Sequence, residues 1–141
     1  LVQSNYAFVL LNQKNDARGA AEHARRALEI RPDDPSASYT LGRAYRRLGD
    51  LSQAAAALES VVRLAPRTTG GTAALRELAE IHMSTGQLDK ARADYERLIE
   101  WRPSETDAYM ALSRVYVAMG KMDLAKEILD RLARVVSNKS R

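Results

Sequence analysis

Along most of the chain the apolar residues recur at helical spacing. Leu41, Ala44, Tyr45 and Leu48 fall on one face of a helix, and Ala54, Ala55, Leu58, Val61 and Val62 repeat the pattern a few residues later. Two amphipathic helices in a row, joined by a short reversal, are the unit this predicts. Applied throughout, the same reading places eight helices over 2–14, 17–30, 36–48, 51–64, 72–85, 88–101, 106–119 and 122–136.

The reversals inside the pairs need a residue that tolerates positive φ, and the equivalent positions hold Asn15, Gly49, Gly86 and Gly120. Helix starts are marked as well. Asp34 can cap a helix with Pro35 at its first position, Asp50 is followed three residues on by Gln53, and Ser104 by Asp107.

The pairs form a periodic series. Pro32 to Pro66 and Ala20 to Ala54 are both 34 residues apart; Gly49 to Gly86, Leu41 to Leu78, Ala54 to Ala91 and Pro66 to Pro103 are 37. Gly86 to Gly120 and Ala91 to Ala125 return to 34. Three residues, Thr69, Gly70 and Gly71, therefore read as an insertion between units, in one domain over 1–141 with repeats near 1–34, 35–68, 72–105 and 106–139.

With Leu41, Gly42, Tyr45, Ala54, Leu58 and Pro66 in the second unit and Leu78, Ala79, His82, Ala91, Tyr95 and Pro103 in the third, the chain resembles the tetratricopeptide repeat family over essentially its whole length. The fourth unit keeps Tyr109, Leu112, Ser113, Tyr116, Ala125 and Leu129 but has Ser137 at the proline position. The first keeps Leu11, Ala20, Ala24 and Pro32, with Phe8 where a small residue is expected. The resemblance implies an all-α, right-handed α-solenoid of four helix-turn-helix units, eight helices in all. Small residues at Gly42, Ala54, Ala79, Ala91, Ser113 and Ala125 would let the paired helices approach closely.

Composition narrows the chemistry. No cysteine is present, so thiolate metal sites and cysteine nucleophiles are excluded, and both cytoplasm and periplasm stay open as compartments. No apolar run approaches the ~20 residues that span a bilayer, so direct membrane insertion is not expected. The net charge of +4 is carried mainly by arginine, which suits acidic protein partners. Nucleic acid is not expected as a partner, because the arginines are not interleaved with aromatic residues. The chain opens at Leu1 in the middle of the pattern, as an excised piece of a longer protein would.

No residues assemble into an enzyme site. His82 shares a register with Tyr45 and Tyr116, which marks it as a core position; His23, beside Glu22, Arg25 and Arg26, reads as part of a solvated helix face. The run Thr68 to Thr72 lacks the lysine and hydroxyl of a phosphate-binding loop and reads as a turn. Paired carboxylates such as Asp33 and Asp34 fall at caps. No metal or cofactor is expected.

What the resemblance implies about binding is a concave groove lined by the first helices of successive units. Position by position it selects Asn5, Val9, Asn12 and Gln13; Tyr39, Arg43, Arg46 and Arg47; Arg76, Glu80, Met83 and Ser84; and Met110, Arg114, Val117 and Ala118. The clustered arginines suit an acidic or mixed-character peptide or helix with an apolar anchor, and Met83, Met110 and Val117 soften the far end. Val9 and Arg43 stand where a chaperone-binding carboxylate clamp would use asparagine-type donors, which disfavours a co-chaperone role.

The expectation is thus a non-catalytic adaptor or scaffold. One alternative is the repeat arm of a multidomain enzyme or of a bacterial envelope or exopolysaccharide secretion machine; the Ala-, Arg- and Asp-rich style of the repeats suits a bacterial source. The last segment carries an apolar stripe, Leu129, Leu132, Val135 and Val136, so a homo-oligomer assembled through uncapped repeat ends is the other alternative.

Overall fold

A computed structural model describes residues 2–141, and among them are eight α-helices and no strand. They are α1 (Val2–Asn12), α2 (Ala17–Ile30), α3 (Pro35–Leu48), α4 (Leu51–Leu64), α5 (Thr69–Ser84), α6 (Leu88–Trp101), α7 (Thr106–Ala118) and α8 (Met122–Lys139). The chain divides into two compact units, Leu1–Leu75 and Arg76–Arg141, with the division inside α5.

In the first unit, α1 packs on α2, α2 on α3 and α3 on α4, and α1 also touches α3. Ala7, Leu10, Leu11, Ala20, Ala21, Ala24, Leu41, Ala44 and Ala57 form one buried cluster. Its alanines allow close helix approach, and Gly42 shows how close: a Cβ there would lie 2.8 Å from Leu58 Cγ. In the second unit α6 packs on α7 and α7 on α8, around Leu78, Ile81, Leu98, Leu112 and Val115.

The turns within the pairs follow the expected chemistry. Asn15, Gly49, Gly86 and Gly120 all have positive φ, at 53°, 82°, 74° and 75°. After the three glycines the next amide reaches back to the same register position each time: Asp50 N–H to Tyr45 O, Gln87 N–H to His82 O and Lys121 N–H to Tyr116 O, at 3.0, 2.8 and 2.8 Å. These bonds satisfy carbonyls that a helix end leaves open. The first turn differs, since Asp16 N–H bonds Leu10 O at 2.8 Å, and α1 stops at Asn12, two residues short of the expected end.

Two caps are as expected. The Asp34 carboxylate accepts from Ser36 and Ala37 N–H ahead of Pro35, and Asp50 accepts from the Gln53 backbone and side-chain amides. Ser104 is not a cap: α7 begins at Thr106 with Glu105 in the capping position and no side-chain cap bond, so the Ser104 hydroxyl sits one residue too early.

The Thr69–Gly71 stretch is not a turn. It forms the first turn of α5, which starts three residues earlier than expected. Arg67, at φ 61°, reverses the chain; Thr68 Oγ1 then donates to Ala65 O at 2.7 Å and accepts from Gly71 N–H at 3.0 Å, organising the new helix start. The extra residues thus lengthen a helix, and Gly71 is required because a Cβ would lie 1.9 Å from Ala65 O.

Candidate functional site

Within the first unit the expected binding residues lie on α1 and α3. Asn5 and Asn12 are exposed, and Val9, Tyr39, Arg43 and Arg46 are half-buried. Arg43 is held in place: its guanidinium donates to Asn12 Oδ1 at 3.2 Å and lies 5.7 Å from the Tyr39 ring centroid. The Asn12 amide is itself oriented by donating to Phe8 O at 3.0 Å. A cation stacked on an aromatic face with one planar edge anchored loses little freedom on meeting a carboxylate.

Arg47 does a different job. It donates to Leu11 O and, at 3.2 Å, to Asn15 Oδ1, so its charge sits on the C-terminal end of α1, where helix carbonyls are unpaired and the dipole is negative. No basic residue of α1 itself occupies that turn.

Within the second unit, Arg76 and Glu80 of α5 and Arg114 of α7 share one cleft of about 260 Å³. Asp107, Ala108 and Ala111 of α7 complete its rim, and Tyr95 and Leu98 of α6 line it as well. Arg76 forms an ion pair with Glu105. Met83 is half-buried, while Met110 and Val117 are exposed on α7; none of the three lines this cleft. Tyr95, Leu98 and Glu105 were not selected from the sequence, because a first-helix inventory omits residues of α6 and of the turn before α7; Asp107, at the start of α7, falls outside the register positions taken from each first helix.

A second cleft of about 410 Å³ lies in the same unit, with Ile99, Leu112 and Ile128 as its apolar lining and Glu96, Glu100 and Arg131 among its charged residues. Tyr116 donates to Glu96 Oε1 there at 3.0 Å. Burial, followed by that bond to a carboxylate, pushes the Tyr116 phenol above its ordinary value, so it stays a donor.

Both histidines are engaged. His82 is buried in the core, with Nδ1 2.6 Å from Asp94 Oδ2. His23 is not on a solvated face: it is half-buried, Nδ1 lies 2.5 Å from Gln3 Oε1, and the ring stands edge-on to Tyr6 with centroids 4.7 Å apart. Asp34 is a buried cap that also accepts from Ser4 and Arg31, each at 2.9 Å. Among the described residues no three metal-ligating side chains gather, and no helix is long and apolar enough to cross a membrane.

The model of the tetratricopeptide repeat family matches residues 11–70 and 84–140, and the chain belongs to that family. Solved structures of MamA share the fold. One is 21% identical with a TM-score of 0.85, covering 98% of this chain and 78% of its own. Another, MamA from Desulfovibrio magneticus RS-1, is 21% identical with a TM-score of 0.80, covering 99% and 76%. Among curated proteins, the human and mouse proteins named Protein O-mannosyl-transferase TMTC3 are each 26% identical over 136 residues. The alignment takes in 88% of this chain, which spans 15% of the length of those relatives. The fold is therefore an all-α tetratricopeptide solenoid, a class whose general use is as a scaffold for protein–protein interaction.

Proposed function

We propose that the chain is a non-catalytic adaptor that binds an acidic or mixed-character peptide or helix of a partner protein on the first-helix side of its repeats. The observation that carries this reading is the Arg43 guanidinium, stacked on Tyr39 and anchored by Asn12, with Arg46 one turn away. Arg76, Glu80 and Arg114 supply a mixed-charge subsite in the second unit, and the exposed Met110 and Val117 supply apolar contacts. Asn5 and Val9 of α1 complete the proposed surface.

The test uses labelled peptides of matched length: acidic with one apolar anchor, neutral, and basic. The acidic peptide should bind best, weaken as salt rises, and lose at least tenfold in affinity to a variant carrying Arg43→Glu and Arg46→Glu. Equal binding of the basic peptide, or undiminished binding by a variant of unchanged helicity, refutes the assignment.

A second reading makes these repeats the non-catalytic arm of a larger protein, either an enzyme or a bacterial envelope or exopolysaccharide secretion machine. It is favoured by the match to a small part of proteins named as mannosyl-transferases. The residues flanking 1–141 in the full-length gene product decide it.

A further inference from the structure

The cleft of about 410 Å³ formed by α6, α7 and α8 shares no lining residue with the one that holds Arg76, Glu80 and Arg114. Tyr95 and Leu98 of α6 line that one; Glu96, Ile99 and Glu100 line this one. The floor here is apolar, with Ile99, Leu112 and Ile128 all buried, and the α6 wall is acidic. Glu96 is fixed in place: Tyr116 donates to its Oε1 at 3.0 Å and Arg92 Nη1 lies 3.6 Å from the same atom, so neither partner engages Oε2. Arg131, on the α8 side, has its guanidinium 5.7 Å from the Tyr109 ring centroid, and the Tyr109 hydroxyl donates to Pro103 O at 2.8 Å.

The acidity is particular to this repeat. At the register of Glu96 and Glu100 the other units set opposite charges one turn apart: Arg25 with Glu29, Glu59 with Arg63, and Asp130 with Arg134. Opposite charges at that spacing favour a helix and like charges oppose it, so two carboxylates there do not serve the helix. Nor does the openness of these positions come from their place in the series. Arg25, Glu29 and Pro32, and again Glu59, Arg63 and Pro66, are exposed with further helices following them. The Tyr116 phenol registers the field: after burial and its bond to Glu96, the charges of Glu96 and Glu127 push it up against that of Arg92.

We propose that this cleft is a second binding site, for a basic segment of a partner protein. One lysine or arginine side chain of that segment lays its methylene stem along Ile99, Leu112 and Ile128 and brings its cation to Glu96 Oε2 beside Glu100, while a backbone carbonyl of the segment meets the Arg131 guanidinium. A side chain apolar along its stem and charged at its tip matches an apolar floor that ends in carboxylates. An acidic segment would have Arg131 alone to meet and would set its own charge against both glutamates. A single side chain in an open cleft is a weak anchor, so the basic segment should bind more weakly than the acidic peptide does at the arginines. The site stands apart from the acidic-peptide reading, and the second unit would hold segments of opposite charge on different faces of α6 and α7.

Amide NMR of the isotope-labelled chain tests it, with a short blocked peptide that carries one lysine between apolar residues and the same peptide with glutamate in place of the lysine. The lysine peptide should shift the amides of Ile99, Leu112 and Ile128, and the glutamate peptide should leave them in place. The double variant Glu96→Gln and Glu100→Gln changes two exposed side chains to isosteres and keeps an acceptor for Tyr116, so its helicity should match the wild type. It should weaken the lysine peptide about tenfold and leave the acidic peptide within about twofold of wild type. Absence of shifts around the cleft at millimolar lysine peptide overturns the proposal. Equal shifts with the glutamate peptide overturn it too, by making Arg131 the anchor, as does undiminished binding of the lysine peptide by the glutamine variant.

Discussion

His82 Nδ1 lies 2.6 Å from Asp94 Oδ2, with both side chains buried, at a register where the other units place Leu11 with His23, Tyr45 with Ala57, and Tyr116 with Ile128. The third unit thus has a polar contact at positions where the second and fourth carry an aromatic and an aliphatic residue. Arg97, on the same helix as Asp94, donates to its other oxygen at 3.3 Å from the more exposed side.

The pair is costly to break from one side and cheap to replace from both. Asp94→Ala strands a buried ring nitrogen and opens space, at about 2–3 kcal/mol. The double variant with His82→Tyr restores the residue pair of the second unit and should recover most of that loss. Denaturant titrations of the four forms provide the cycle, and additive effects would show that the two side chains do not act together.

Asp34 gives a pH dependence with a definite sign. Burial alone would push its carboxyl up, but the Ala37 amide, the Ser4 hydroxyl, the Arg31 guanidinium and the Ser36 amide outweigh it and hold the group below its ordinary 3.8. A depressed folded-state value means stability that is fully present above the ordinary value and is lost as pH falls through the lower one. Asp34→Asn should therefore cost about 1–2 kcal/mol at pH 7, and the gap to wild type should close as the pH is taken well below about 4. A gap independent of pH would assign the effect to packing.

Helices and turns were legible in the sequence because period, small residues and left-handed turn positions all point the same way. Gly49, Gly86 and Gly120 sit at one register and make the same reversal. Three features were not legible. The Thr69–Gly71 insertion looks like a turn by composition, and only the Thr68 bonds and the reversal at Arg67 make it helical. Asp94 carries no mark of its own in the sequence, and its burial follows from His82, twelve residues away. In the site, one-helix faces gave Arg43 and Arg47 the same standing, although their partners lie 31 and 36 residues away and differ in kind.

The two adjacent glycines at the start of α5 should respond oppositely to alanine. Nothing lies within 4 Å of a Cβ at Gly70, so Gly70→Ala gains helix propensity, up to ~1 kcal/mol. At Gly71 the new methyl meets the Ala65 carbonyl, a backbone atom that cannot swing aside. Gly71→Ala should cost about 2 kcal/mol or more. Thermal denaturation of the two variants side by side checks the close approach, and equal tolerance would remove it.

Arg43 and Arg47 differ by one helical turn yet should separate binding from stability. Arg47→Ala takes two donors from the end of α1, leaving the Leu11 carbonyl and Asn15 without them, and should lower stability by about 1 kcal/mol. Arg43→Ala loses a bond between exposed groups and a cation stacked on Tyr39, and should change stability by less than about 0.5 kcal/mol. Against the acidic peptide the order reverses: Arg43→Ala should weaken binding about tenfold, whereas Arg47→Ala, once its helicity is matched, should bind within about twofold of wild type. The physical ground is that a guanidinium already committed to the Leu11 carbonyl and the Asn15 side chain would have to leave them before reaching a ligand. If Arg47→Ala weakened the peptide as much as Arg43→Ala at equal helicity, the arginine at the α1 terminus would be a ligand contact in its own right, and the division of labour on α3 would be wrong.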